Sequence, residues 1–292
     1  MTAPIAQPNH VPIRDCVGAA LRFVRENWRF IGATSAAGAV AVTIVGALVV
    51  GVPAFGLLSG FASGFIQATT YAAFLGAMLF GGAAVRGRLV GDGARVLAAM
   101  AIIALFLVIM IVVLSIPVFM ALAVGPMAPY REALTAAGQD RERVGAIMLE
   151  FAEANPGALL IVALFYFAVW FILTSRLYIA APASVDQRRI LTFETWAWTK
   201  GATLRIIAAR LMLLLPAYVF VYALTYLAGQ SVGVNVLDVT ATNAAAAANP
   251  VGFLIYILVN SFITFAAYSS LEAGLSAAIY RYLRPTVDQT FT

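Results

Sequence analysis

The chain reads as an all-α polytopic membrane helix bundle, with six transmembrane helices plus amphipathic interfacial helices. Three observations predict this. First, 63% of the 292 residues are hydrophobic and only 11% charged, where a soluble domain carries about 25% charged residues. Second, the charges are excluded from long runs: Phe30–Val85, Val96–Tyr130, Ala154–Ser175, Leu211–Leu237 and Val239–Leu271 hold no Asp, Glu, Lys, Arg or His. One bilayer crossing takes about 20 apolar residues at ~1.5 Å each, so the first run accommodates two crossings and each later run one. Third, the bases gather at the ends of these runs, as orientation by the positive-inside rule requires.

The elements follow in order. Pro12–Trp28 has Val17, Leu21 and Val24 at helical spacing, with Arg14, Arg22, Arg25 and Glu26 interleaved. This predicts an amphipathic helix that lies in the headgroup interface or docks on the bundle. The first span covers Phe30–Val50, and Gly51-Val52-Pro53 turns the chain. The second, Gly56–Val85, carries Gly56, Gly60, Gly64 and Ala68 at four-residue intervals, a stripe that predicts close approach of another helix. A basic loop from Arg86 to Arg95, with a turn at Gly91-Asp92-Gly93, leads to the third span, Val96–Val124, which Pro117 interrupts. Between Gly125 and Pro156 a surface helix is predicted, with Val144, Ile147, Met148 and Phe151 on its apolar face. The aromatic-rich fourth span runs from Gly157 to Ala180. After a second basic loop come the fifth span, Arg205–Ala228 with Pro216 inside, and the sixth, Pro250–Leu283.

With the amino terminus inside, fifteen Lys and Arg fall on the cytoplasmic side and three (Arg131, Arg141, Arg143) outside. An odd number of spans, or the reverse orientation, loses that asymmetry. The organisation expected is a cytoplasmic tail with an interfacial helix (1–29), a six-span membrane domain (30–284) and a cytoplasmic tail (285–292). No cleavable signal peptide is expected, because the first apolar stretch exceeds an h-region of about 7–15 residues. Asn27–Ala33 resembles Thr203–Ala209 at the entry to the first and fifth spans. That suggests a parallel repeat, two spans on each side of a central hairpin.

Catalytic chemistry is thinly supplied. His10 is the sole histidine and Cys16 the sole cysteine, which precludes a His/Cys metal cluster, a His-based triad and an internal disulfide. Glu132, Asp140, Glu142, Glu150 and Glu153 alternate with arginines as a solvated helix face does. No metal or cofactor site is expected. Glu272 is the one acid embedded in a span, and an ionisable residue there is a functional candidate by default. Counting about 20 residues from each span's outer end places Glu272, Arg176 and Arg210 at one level near the cytoplasmic interface. They form either a structural ion cluster, with Glu272 paired to Arg176 or Arg210, or the charged floor of a cavity. Asn260, Thr264, Tyr268 and Glu272 share one face of the sixth span at four-residue spacing. Such a stripe lines a polar path or hydrogen-bonds to neighbouring helices.

Ser175-Arg176-Leu177-Tyr178-Ile179-Ala180-Ala181-Pro182-Ala183, Phe193-Glu194-Thr195-Trp196-Ala197-Trp198-Thr199-Lys200-Gly201 and the closing Tyr280-Arg281-Tyr282-Leu283-Arg284 resemble motifs of a bacterial group of multi-helix proteins. That group includes the membrane domain attached to some glycerophosphoryl diester phosphodiesterases. Thr195 stands where the group has Ser, and Ala197 precedes the second Trp. The resemblance implies a bacterial inner-membrane location and transfers no catalytic residue, since the phosphodiesterase chemistry belongs to a separate soluble barrel. The expected function is a non-enzymatic accessory or scaffold protein of the inner membrane. The alternative is a small transporter or lipid-handling protein with a cavity between the fourth, fifth and sixth spans. Expected partners are membrane lipids, anionic at the cytoplasmic face, and another membrane protein or a second copy; nucleic acid is not among them.

Overall fold

A computed structural model describes residues 11–51, 56–235 and 239–284. His10, the Val52-Pro53 part of the first turn, residues 236–238 and the 285–292 tail lie outside the described residues. Thirteen α-helices are described, with no strand among the described residues. They are α1 (Ile13–Glu26), α2 (Trp28–Gly51), α3 (Gly56–Phe80), α4 (Leu89–Val124), α5 (Arg131–Ala137), α6 (Arg141–Ala154) and α7 (Pro156–Arg176). The series continues with α8 (Ala180–Asp186), α9 (Glu194–Trp198), α10 (Thr203–Ser231), α11 (Val239–Ala248), α12 (Pro250–Ile263) and α13 (Ser270–Leu283). Six stretches are long and apolar enough to cross a membrane by length and composition: Trp28–Leu48, Leu58–Phe80, Leu89–Val124, Pro156–Asp186, Thr203–Ser231 and Pro250–Leu283.

Several boundaries differ from the sequence expectation for local reasons. The second long helix stops at Phe80, not Val85, because Gly81 takes a φ of 88° and a 3₁₀ turn, Gly82–Val85, follows. The stretch expected as a basic loop with a Gly-Asp-Gly turn is instead the first turns of α4. Gly93 sits there because a Cβ would come within 3.0 Å of the Thr69 backbone on α3. Pro117 and Pro216 are both carried inside unbroken helices. The last span is not one regular helix: Thr264–Ser269 forms a π-helical segment between α12 and α13. The connection between the fifth and sixth spans contains α11.

The chain divides into two compact units, Met1–Ala101 with Ser175–Thr292, and Ile102–Thr174. In the second unit Asp140 caps α6 by accepting from the backbone N–H groups of Glu142 and Arg143 at 3.1 and 3.2 Å. Ile147 and Phe151 are buried as the apolar face of α6 predicted, with Phe151 edge-on to Tyr130 at 5.7 Å, while Met148 faces out.

In the first unit α1 docks on the bundle, burying Cys16, Val17, Ala20 and Phe23. Its chief partner is α13, reached through Gly274, where a Cβ would stand 3.1 Å from the Ala20 Cα. A further close approach is at Gly38, where a Cβ would lie 2.6 Å from Thr70 Oγ1 and 3.1 Å from the Phe265 ring. The expected contact stripe on α3 is used only at its inner end. Ala68 is buried, but Gly56 and Gly60 have open space beside them. The packing also lacks the suggested repeat symmetry, since α2 packs extensively on α12 while α3 and α10 make no comparable contact.

Candidate functional site: a polar cavity beside Glu272

The ends of the long helices in the first unit are tied together by the segment that carries the motif residues. Thr199 Oγ1 donates to the Arg176 carbonyl at 2.8 Å, and Thr195 Oγ1 to the Thr192 carbonyl at 2.6 Å. Ser184 donates to the Ala180 carbonyl at 2.8 Å and accepts from the Leu191 N–H at 2.9 Å. Tyr280 donates to Asp186 Oδ2 at 2.7 Å. Ser175, Ser184, Thr195 and Thr199 are fully buried. These hydroxyls satisfy backbone groups where helices end without a regular ladder. The motif residues therefore build architecture.

That frame settles the arginines. Arg210 is buried; its Nη1 donates to Ser175 Oγ at 2.7 Å, and its guanidinium lies 4.9 Å from the centre of the Tyr178 ring. Arg176 stacks over Trp196 at 4.8 Å and donates to Thr203 Oγ1 at 3.4 Å. The expected ion pair of Glu272 with Arg176 or Arg210 does not form among the described residues, where the close pairs are those of Asp92 with Arg88 and Arg95. Arg210 remains within electrostatic range of Glu272. The depth count thus brings the right groups to one region but the wrong atoms into contact.

Glu272 lines a cavity of about 470 Å³ instead. Its walls are α3 (Gln67 and Tyr71 among them), the early part of α4, and the last span from Asn260 to Glu272. Asn260, Thr264 and Tyr268 all face it with Glu272, so the four-residue stripe is one polar surface. The π-helical segment explains how. In a regular α-helix four residues overshoot a turn by about 40°, and the stripe would spiral away over three steps. The wider i→i+5 turn takes up that excess and holds the stripe in line. The cavity lies between the second, third and sixth long helices, which corrects the expected placement between the fourth, fifth and sixth.

Behind the cavity, Tyr71 shares a hydrogen bond with Ser276 at 3.0 Å, and Tyr178 reaches the Glu272 backbone carbonyl at 3.5 Å. Tyr268 meets Tyr218 edge-on at 6.3 Å. Gln67 and Tyr71 on α3 are lining residues that sequence reading missed, as are Ser261 and Ser269 on the last span. The two on α3 are single polar side chains in an apolar run, and only the pairing of α3 with the last span brings them to Glu272. Elsewhere the inventory offers little. Burial, with Asp15 adding to it, pushes the Cys16 thiol up to about 12, so it stays protonated at neutral pH. No group of three His, Cys, Asp or Glu is arranged to hold a metal ion among the described residues. Comparison with protein-family models, with curated proteins and with solved structures finds nothing that matches this chain.

Proposed function

We propose that the chain is a six-span integral membrane protein of a bacterial inner membrane, with both termini cytoplasmic. In this reading it handles a small, positively charged polar solute in the cavity beside Glu272, with no bond-breaking step. The carrying observation is a carboxylate lining a polar cavity inside helices of bilayer length. An ionised side chain within a span is costly unless it is solvated or paired. A cavity with amide, hydroxyl and phenol groups meets that need, and Glu272 is the only charge in its lining. The Tyr71 and Tyr268 rings suit an ammonium group. The glycerophosphodiesterase-type resemblance supports the inner-membrane location.

Thiol reactivity tests the proposal. Thr264→Cys in a Cys16→Ser background should react faster with a trimethylammonium-bearing methanethiosulfonate than with its sulfonate analogue, and Glu272→Gln should abolish that preference. A cysteine at 264 that reacts with neither reagent until the protein is denatured would mean a closed interior, and the solute reading would fall. The accessory or scaffold reading rests on a different observation, that no residue of the most apolar window of Pro156–Asp186 is buried. Such a face suits lipid, a second copy or another membrane protein.

A further inference from the structure

We infer that the groove between α2 and α3 is a site for one anionic phospholipid, with an acyl chain in the groove and the phosphate on Arg86. This rests on the membrane reading above and is independent of the Glu272 cavity. The groove has a volume of about 790 Å³ and is walled by α2 from Phe30 to Ala41 and α3 from Phe65 to Ala73. The 3₁₀ turn and Arg86 close one end. That end is the Phe30 end, because a Cβ on Gly82 would lie 3.7 Å from the Phe30 ring.

Length and charge together select the occupant. Eleven residues along α2 rise about 16 Å, and one leaflet of a hydrocarbon core of about 30 Å is about 15 Å deep. The groove therefore runs from the level of the headgroups to the bilayer midplane. Its α2 wall is built from Phe30, Ala33, Thr34, Ala37, Gly38 and Ala41; the alanines leave a slot a chain can enter, with the Thr34, Thr69 and Thr70 side chains along it. Arg86 is the only charge in the lining, is exposed, and has no ion-pair or hydrogen-bond partner among the described residues. Its neighbour Arg88 is engaged by Asp92, by the Val185 carbonyl and by the Phe80 ring. An apolar slot one leaflet long with a single unengaged cation at its headgroup end matches an anionic phospholipid in both parts. A free phosphate would use only the cation, and a zwitterionic lipid would bring its own ammonium group beside Arg86 and lose part of the attraction.

The test is native mass spectrometry of full-length protein released from vesicles of phosphatidylglycerol and phosphatidylcholine in a 1:3 ratio. Wild-type protein should retain one phosphatidylglycerol in preference. Arg86→Gln should lower that preference roughly fivefold, the effect of one arginine at an anionic surface. Ala41→Phe, which fills the slot, should reduce retention of both lipids. Arg189→Gln, an exposed arginine away from the groove, should change neither. An unchanged preference in Arg86→Gln, an equal fall in Arg189→Gln, or displacement of the lipid by millimolar glycerol 3-phosphate would each overturn the site. Release of wild-type protein from membranes by alkaline carbonate would instead overturn the membrane reading itself.

Discussion

At the residue scale, the first unit separates its charges by what each can reach. Asp92 is buried at the start of α4, where a carboxylate also meets the positive end of the helix dipole. It bonds Arg95 Nη1 at 2.7 Å and pairs with Arg88 Nε at 3.3 Å. Asp92→Asn removes the negative charge and replaces one of the two acceptor oxygens facing the arginines with an amide donor; the arginines are themselves part-exposed, so water recovers some of the loss. The expected destabilisation is about 1–3 kcal/mol, read as a lower unfolding temperature in detergent. Adding Arg88→Gln should then cost less than it does alone, which a double-mutant cycle measures; strictly additive losses would show that the pair carries no coupling. Sequence gave no notice of this cluster, because Gly91-Asp92-Gly93 has the composition of a turn. The approach of Gly93 to Thr69 explains that glycine inside a helix. Arg176 and Arg210 teach the converse. A depth count fixes their level from the number of residues alone, but the azimuth that turns them to Trp196, Tyr178 and Ser175 depends on how α10 and the motif segment from Ser175 onward pack.

At the element scale, the decisive feature is the π-helical segment in the last span. Its origin is one residue more than regular α-helix would place between Asn260 and Glu272. Deleting Ala267 should convert Thr264–Ser269 to ordinary helix and leave eleven regular steps between Asn260 and Glu272, about 1100°, which is within about 20° of three full turns. Asn260 and Glu272 then stay on one face without the wide turn. A cysteine at 260, in a Cys16→Ser background, should keep its reactivity toward a water-soluble thiol reagent on that deletion, with the protein still monodisperse in detergent. Loss of that reactivity would show that the wide turn does more than absorb one extra residue. Periodicity could not reveal this segment, since Asn260, Thr264, Tyr268 and Glu272 fit an α-helical face well enough to be read as one. The other elements were more legible. The apolar runs located the six long helices, with the ends at Phe80 and Leu89 displaced from the expected Val85 and Val96, and the spacing of Val17, Leu21 and Val24 identified α1, although Leu21 is exposed and the buried face is Cys16, Val17, Ala20 and Phe23. Whether α1 lay at the interface or docked was decided by Gly274 and Ala20, a contact nearly the whole chain apart in sequence. The close approach at Gly38 was equally unreadable, since small residues are frequent in every span and only those facing a neighbour matter.

At the scale of the whole molecule, orientation is a matter of charge alone, and the asymmetry is strong. Fifteen of the eighteen Lys and Arg belong to the side shared by the termini and the segments 86–95 and 183–204 in a six-span, N-inside arrangement. The three exceptions lie on α5 and α6 beside five acids. A basic residue near a span end resists transfer across a bilayer, so in that arrangement the fifteen would act together in setting which side stays inside. The described helices agree with the count of crossings, and the boundary shifts at Phe80 and Leu89 move no base to the opposite side. The expected topology places segments 125–156 and 229–249 outside and segments 86–95 and 183–204 inside. Single cysteines at exposed positions test it in a Cys16→Ser background, Gln139→Cys for the outer segment and Arg189→Cys for the inner. In intact cells an impermeant maleimide should label position 139 and leave position 189 untouched until the membrane is opened. Labelling of position 189 alone in intact cells would invert the orientation, and equal labelling of both would break the six-span count.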